Sequence, residues 1–246
     1  MNEDDEENFE QIEATFGFMD MLPSDAPAIA GFIPKYLNVE RVELSKIITG
    51  QKRVGTCIKL AYVEDEDDQS LFGFTSVVNL GYFQNYATVS NFINWLLSLN
   101  DPSLNQILGN FLPSVGLLLD ERAYGVPPQL IPHLIRGLFE EIEWATEDCE
   151  TQEERDSYKF THYILVKKAV KGEEGLEFQN AEDQVFFKNA MLRIEFKTEG
   201  EEGDFQDLEY YRYVMVLTRE SIFDVRREIN EMFDVNEDDY KDEGIV

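Results

Sequence analysis

Five consecutive carboxylates, Glu64-Asp65-Glu66-Asp67-Asp68, fill one short stretch of the chain, and Glu199, Glu201, Glu202 and Asp204 crowd another. Oxygen-rich side chains of this kind are the ones that bind hard cations. Their arrangement is unsuited to it. The alternating Asp-x-Asp-x-Asp-Gly spacing with a later Glu is missing, and five adjacent carboxylates repel one another and stay solvated. Two histidines, His133 and His162, and two cysteines, Cys57 and Cys149, lie too far apart in sequence to suggest a ligand set. No metal site is assigned. Nucleophilic catalysis fares no better. Gly-x-Ser-x-Gly is absent, His162 stands within a strand beside Tyr163, and His133 follows Pro132 in a helix without an evident partner. In so acidic a chain, chance pairs such as Glu140 and Glu141 carry no weight as an acid and a base. No catalytic residue is assigned, and the cysteines read as reduced and structural in an intracellular compartment.

One segment imitates a cofactor motif. An apolar run, Ser114 to Leu119, is followed by Arg122-Ala123-Tyr124-Gly125-Val126-Pro127-Pro128 and then a helix. Strand, Arg-x-x-Gly-x-(Gly/Ala), helix is similar to the way GNAT acetyltransferases hold the pyrophosphate of acetyl-CoA on backbone N–H groups. Here Pro127 takes the position of Gly or Ala, and Pro128 follows it. Neither has an N–H, and their rings obstruct a close approach of backbone to phosphate. The expectation is an acetyltransferase-like arrangement with no working CoA site and no cofactor. A GNAT-type N-acetyltransferase is kept as the alternative that calorimetry with acetyl-CoA would decide.

Charge sets the partners. The chain of 246 residues carries 50 Asp+Glu against 21 Lys+Arg, a formal net charge of -29. A field of that sign repels phosphate backbones and anionic lipid and attracts basic protein. The basic clusters Gln51-Lys52-Arg53 and Lys167-Lys168 are too small to follow a nucleic-acid backbone. Tyr210, Tyr211 and Tyr213 alternate as sheet residues do, so base stacking is not expected of them. Neither direct nucleic-acid binding nor membrane binding is expected. Met1 to Glu13 is acidic and lacks an apolar core, so no secretory signal is expected, and no stretch is apolar enough to span a bilayer. No Lys/Arg cluster resembles a nuclear import signal.

The elements that must position these residues read as follows. Residues 1–15 and 234–246 are expected to be acidic, disordered tails around a single α/β domain, 16–233. A helix opens at Pro23-Ser24-Asp25 and is kinked by Pro34; a second runs from Val42 to Thr49. Strands are expected at 54–60 and 71–80, with 64–68 as the hairpin loop between them. Helices follow at Ala87–Leu99 and from Asp101-Pro102 to Gly109. Ser114–Leu119 has the composition of a central strand buried on both faces. Asp120–Pro128 reads as a loop and Pro128–Ala145 as a helix. Strands at Tyr158–Val170, Val185–Phe196 and Glu209–Leu217 alternate with acidic loops at 173–177 and 199–207. A closing helix covers Arg219–Phe233. The sum is a mixed, twisted sheet flanked by helices.

Several of these segments resemble the eukaryotic BCCIP family. They are Gln51 to Lys59 with the acidic loop behind it, Phe74-Thr75-Ser76-Val77-Val78-Asn79-Leu80, and Val115 to Arg122 leading through Pro127 into Gln129-Leu130-Ile131-Pro132. Glu140 to Ala145, Phe160 to Lys168 and the strand at 209–217 complete the likeness, which extends over roughly residues 16 to 233. The chain departs from it at Tyr124-Gly125-Val126. The resemblance implies a nuclear, non-enzymatic protein with a GNAT-like fold. Fungal members act as chaperones for a large-subunit ribosomal protein of the uL-fourteen type and in nuclear export. Animal members are linked to ribosome biogenesis, to a recombination protein and to a cyclin-dependent kinase inhibitor.

Function is accordingly expected to be that of a chaperone or adaptor for a basic ribosomal protein, in the nucleus and shuttling to the cytoplasm, with other nuclear proteins as further partners. A polyanion can cover a basic RNA-binding surface and later yield it to rRNA; such attraction is salt-sensitive. Glu64, Asp65, Glu66, Asp67, Asp68, Glu199, Glu201, Glu202 and Asp204 are the candidate partner-binding residues, and plain solvated loops would have the same composition. A histone chaperone would need the same charge, so that alternative stays open.

Overall fold

The computed structural model describes residues 15–61, 70–172, 175–196 and 209–235. At its centre lies β4 (Val115–Arg122), buried from Val115 to Asp120. Leu117 and Leu119 pack into one helical layer and Leu118 into the other, as the two-residue period of a strand dictates. Gly116 is required there: a Cβ would fall 2.6 Å from Val77 Cγ2 and 2.9 Å from Phe160 Cε1. The expectation of a central strand buried on both faces holds.

Around it the strands β1 (Phe16–Asp20), β2 (Thr56–Leu60), β3 (Leu71–Asn79), β5 (His162–Gly172), β7 (Leu192–Phe196) and β8 (Tyr210–Thr218) form one sheet in the order β1-β2-β3-β4-β5-β8-β7. A short β6 (Gly175–Phe178) folds back on the end of β5. Every pairing is antiparallel except β4 with β5. That parallel pair is joined only at Val115–His162, Gly116–Tyr163 and Leu117–Ile164, although both strands continue well beyond.

Helices α1 (Ala26–Phe32), α2 (Arg41–Gly50), α3 (Ala87–Ser98) and α4 (Pro102–Phe111) cover one face, where Ile29, Ile48, Phe92, Leu96 and Leu104 meet Phe74, Val78 and Val216. The other face is covered by α5 (Ile131–Asp148), α7 (Ala181–Asn189) and α8 (Ser221–Met232), through Ile135, Leu138, Phe186 and Val225. Full burial of side chains this size contributes about 1.5–3 kcal/mol each. Local signals start the helices: Asp101 accepts from the N–H groups of Ser103 and Leu104 at 2.9 Å, and Glu40 from those of Val42 and Glu43.

Several expectations need correcting. Pro34 does not kink a longer helix; α1 has already ended at Phe32, and Pro34 opens a single 3-10 turn. Asp120–Arg122 is strand rather than loop: its backbone pairs with Gly73–Thr75 of β3, and Arg122 finds a buried partner in Glu182 of the helix Ala181–Asn189. Residues 185–196 are not one strand. Ala181–Asn189 is a helix, with Glu182 and Asp183 in its first turn, where the helix dipole favours anions, and only Leu192–Phe196 is extended. Part of the expected acidic loop 173–177 is β6, which starts at Gly175 with φ +134°. Two elements were not expected: β1, whose neighbour Thr15 accepts the Ala61 N–H at 2.8 Å, and α6 (Gln152–Ser157), capped by Thr151 Oγ1 on Glu154 N at 3.1 Å. The tails at 1–14 and 236–246 lie outside the described residues.

The topology has a consequence for charge. Alternating strand directions bring Thr15, Ala61, Ser70, the Arg122–Val126 turn, Gly172, Gly175, Phe196 and Glu209 to one end of the sheet. These residues bracket 1–14, 62–69, 173–174 and 197–208, which contain seven, five, two and five acids respectively.

Candidate functional site

Beyond Leu117 and Ile164 the parallel strands part, and something must fill the wedge. Lys167 of β5 does so. Its ammonium donates to the Asp120 backbone oxygen at 2.6 Å and to Glu121 Oε1 at 3.3 Å. It also lies 3.4 Å from Asp183 Oδ1 on α7, within ion-pair reach but poorly aimed for a hydrogen bond, so that oxygen has no hydrogen-bond partner. Asp120 Oδ2 is likewise unpartnered. Next along β4, the Arg122 guanidinium grips both carboxylate oxygens of Glu182, its Nη2 at 2.9 Å from Oε2. Asp120, Lys167, Glu182 and Asp183 are all no more than 3 % exposed.

Four carboxylates thus face two cations in a largely buried wedge. Burial pushes the Asp120 carboxyl up to about 7, with Glu182 adding to it and Lys167 opposing. Burial likewise lifts Asp183 to about 8, against the pull of Lys167. For Lys167, burial alone would lower the pKa; Asp183, Glu121 and Asp120 outweigh it and hold the ammonium above the ordinary lysine range. Asp120 and Asp183 therefore retain protons into the neutral range, and their titrations depend on each other. Perturbed, buried carboxylates of this kind mark active sites in many enzymes. Here Lys167 and Arg122 pair with the carboxylates, and Asp120, Lys167, Glu182 and Asp183 are buried, with Glu121 and Arg122 partly exposed at the edge of the group.

The cofactor-like loop is used up in the same way. Its arginine is spent on Glu182. Ala123 N–H donates to Phe72 O at 2.7 Å, Val126 is buried, and Pro127 and Pro128 open a 3-10 turn ahead of α5. Pro127 and Pro128 themselves have no N–H to offer a phosphate. The remaining candidates for chemistry are quenched. Burial raises Cys57 to about 12, with Asp25 adding to it, and raises Cys149 as well, so neither is a thiolate at neutral pH. His162 sits at the start of β5, its Nδ1 2.9 Å from Thr161 Oγ1 and its ring against Phe111, and burial lowers its pKa. His133 packs near Phe18. Glu141 is a brace between layers, accepting from Gly55 N–H at 2.8 Å and Thr56 Oγ1 at 2.7 Å. Among the described residues no group of three or more His, Cys, Asp or Glu is placed to hold a metal ion, and no helix is long and apolar enough to cross a membrane.

The expected partner-binding residues, Glu64, Asp65, Glu66, Asp67, Asp68, Glu199, Glu201, Glu202 and Asp204, lie outside the described residues; the strand ends that bracket them stand at one end of the sheet. The wedge was not expected. In the sequence, Lys167 stands as half of a small basic cluster and Asp120 as the start of a loop. The signal that could have found them is a charged residue inside an apolar run, as in Leu119-Asp120-Glu121-Arg122 and Leu165-Val166-Lys167.

Comparison with known proteins decides the family: the BCCIP family profile matches residues 11–207. The chain belongs to the BCCIP family. Within that family it is 29 % identical to a BCCIP homolog of Arabidopsis thaliana, over 94 % of this chain and 78 % of that one. It is 30 % identical to the bcp1 protein of Aspergillus oryzae over 51 % of this chain and 42 % of that one. With the mouse protein named BRCA2 and CDKN1A-interacting protein it shares 27 % identity over 66 % of this chain and 58 % of that one. The chain thus spans most of its plant relative and about half of the fungal and mouse ones. The crystal structure of BCP1 from Saccharomyces cerevisiae superposes with a TM-score of 0.69 at 19 % identity, covering 97 % of this chain and 96 % of that one, which places both in one fold. BCCIP family names are those of interacting proteins, and no catalytic family is indicated.

Proposed function

We propose that this BCCIP-family chain is a non-enzymatic acidic chaperone and adaptor for a basic large-subunit ribosomal protein of the uL-fourteen type. It acts in ribosome biogenesis and nuclear export, in the nucleus and shuttling to the cytoplasm. The observation that carries this reading is the convergence, at one end of the sheet, of the strand ends that bracket 62–69, 173–174 and 197–208. Charge spread evenly over a surface keeps a protein soluble; charge gathered at one end favours a basic partner in one orientation. Glu64 to Asp68, Glu199, Glu201, Glu202 and Asp204 are assigned to client contact on that ground. The name of the mouse relative, which describes a protein that interacts with two others, is consistent with an adaptor role.

The frame itself supports an acetyltransferase-like reading without acetyl-CoA chemistry. An apolar strand that leads through Arg122 and two prolines into a helix is the order of elements on which that reading rests, and Pro127 and Pro128 lack the N–H groups that a pyrophosphate would need. Two measurements test the proposal together. Purified chain should bind the basic ribosomal protein, more weakly as salt rises and in preference to histones, and calorimetry with acetyl-CoA should give no heat of binding. Equal or stronger histone binding would move the assignment to a histone chaperone.

A further inference from the structure

Tyr124 is fully exposed, the most exposed of the large hydrophobic side chains among the described residues. It stands on a turn fixed at both ends. Arg122 before it is clamped to Glu182, Ala123 N–H is bonded to Phe72 O, and Val126 after it is buried in the core. Val126 N–H reaches back to Ala123 O at 3.5 Å, and Gly125, third in the turn, has φ +91°, the left-handed value a type II turn requires there. A Cβ on Gly125 would meet nothing within 4 Å, so the turn projects into open space. A ring held this way has only two side-chain torsions left to fix on binding. It is also at the end of the sheet where the bracketing strand ends converge.

We infer that Tyr124 is an aromatic anchor for arginine side chains of a basic polypeptide. The inference rests on the client reading above and names how the client is held. Negative charge attracts any cation and fixes no register. A ring face adds cation–π and planar stacking, which favour arginine's flat guanidinium over lysine's compact ammonium. In a chain of net charge -29, the partner that complements an exposed aromatic is therefore cationic as well as planar.

The test uses the full chain and two synthetic probes, an arginine-rich and a lysine-rich peptide of equal length and charge. The parent protein is expected to bind the arginine peptide more tightly. Tyr124→Ala should weaken arginine-peptide binding roughly five- to thirtyfold and erase the preference, with the salt dependence and melting temperature unchanged. Tyr124→Phe, which keeps the ring, should behave as the parent. If the parent binds both peptides in a salt-dependent way and Tyr124→Ala binds as well as the parent, or if Tyr124→Phe is as weak as Tyr124→Ala, the anchor is wrong while the client reading stands. If the parent binds neither peptide, both fall.

Discussion

Lys167 Nζ lies 2.6 Å from the backbone oxygen of Asp120 and so ties two parallel strands together past the point where their backbone pairing stops. The contact explains how a sheet can part at its centre and stay filled with buried side chains. A lysine stem fills the gap, and its charge is met by Glu121 and Asp183. Such a cluster favours one strand arrangement over others more than it adds net stability, since ion desolvation offsets much of the attraction.

Removing the lysine should be costly. Lys167→Leu keeps the apolar volume but strands buried carboxylates, and should lower unfolding free energy by about 3–5 kcal/mol. Urea denaturation checks it. A loss below about 1 kcal/mol would mean that the wedge is not held by charge.

Stability should fall as pH rises. Asp120 and Asp183 are held near 7 and 8, above the ordinary aspartate value of about 3.9, so the folded state binds more protons than the unfolded one in between. The sign is a decline that begins near pH 4 and is complete above pH 8. Asp120→Asn should leave stability little changed near pH 3, below the unfolded pKa, and raise it relative to the parent increasingly from pH 5 to pH 8.5. Identical pH profiles for the two proteins would contradict the assignment.

Gly116→Ala tests the tightest packing of the central strand. The new methyl would press on Val77 Cγ2 and Phe160 Cε1, and the cost should be about 1–3 kcal/mol. Thermal unfolding reads it directly, and a neutral result would show that the strand can shift.

Much of this was legible in the residues. The apolar run Val115–Leu119 could only be a strand buried on both faces, and the alternation around Ile58 and along 209–217 gave true strands. What misled was polarity inside apolar sequence. Asp120 and Glu182 look like surface residues until each is set against its partner on another element, tens of residues away. The same long-range pairing turned Val185-Phe186-Phe187, β-prone on its own, into part of a helix that delivers Glu182 and Asp183 to the wedge. Composition alone marks the acidic candidate residues; the convergence of the described strand ends that bracket them depends on strand order, which no local pattern encodes.

Restoring the missing glycines should not restore a cofactor site. In the double variant Pro127→Gly, Pro128→Gly, Arg122 remains bound to Glu182 and Lys167 remains in the wedge. Calorimetry should detect no acetyl-CoA binding to parent or variant. Binding by the variant would mean that the two prolines alone closed the site.

The most direct test of the central claim is titration of the full chain with a purified uL-fourteen-type ribosomal protein across a range of salt concentrations. The account predicts a defined complex whose affinity drops steeply with salt and is weakened further when Glu64, Asp65, Glu66, Asp67 and Asp68 are replaced by Gln and Asn. Absence of a complex at low salt, or an affinity indifferent to both salt and those substitutions, would contradict it.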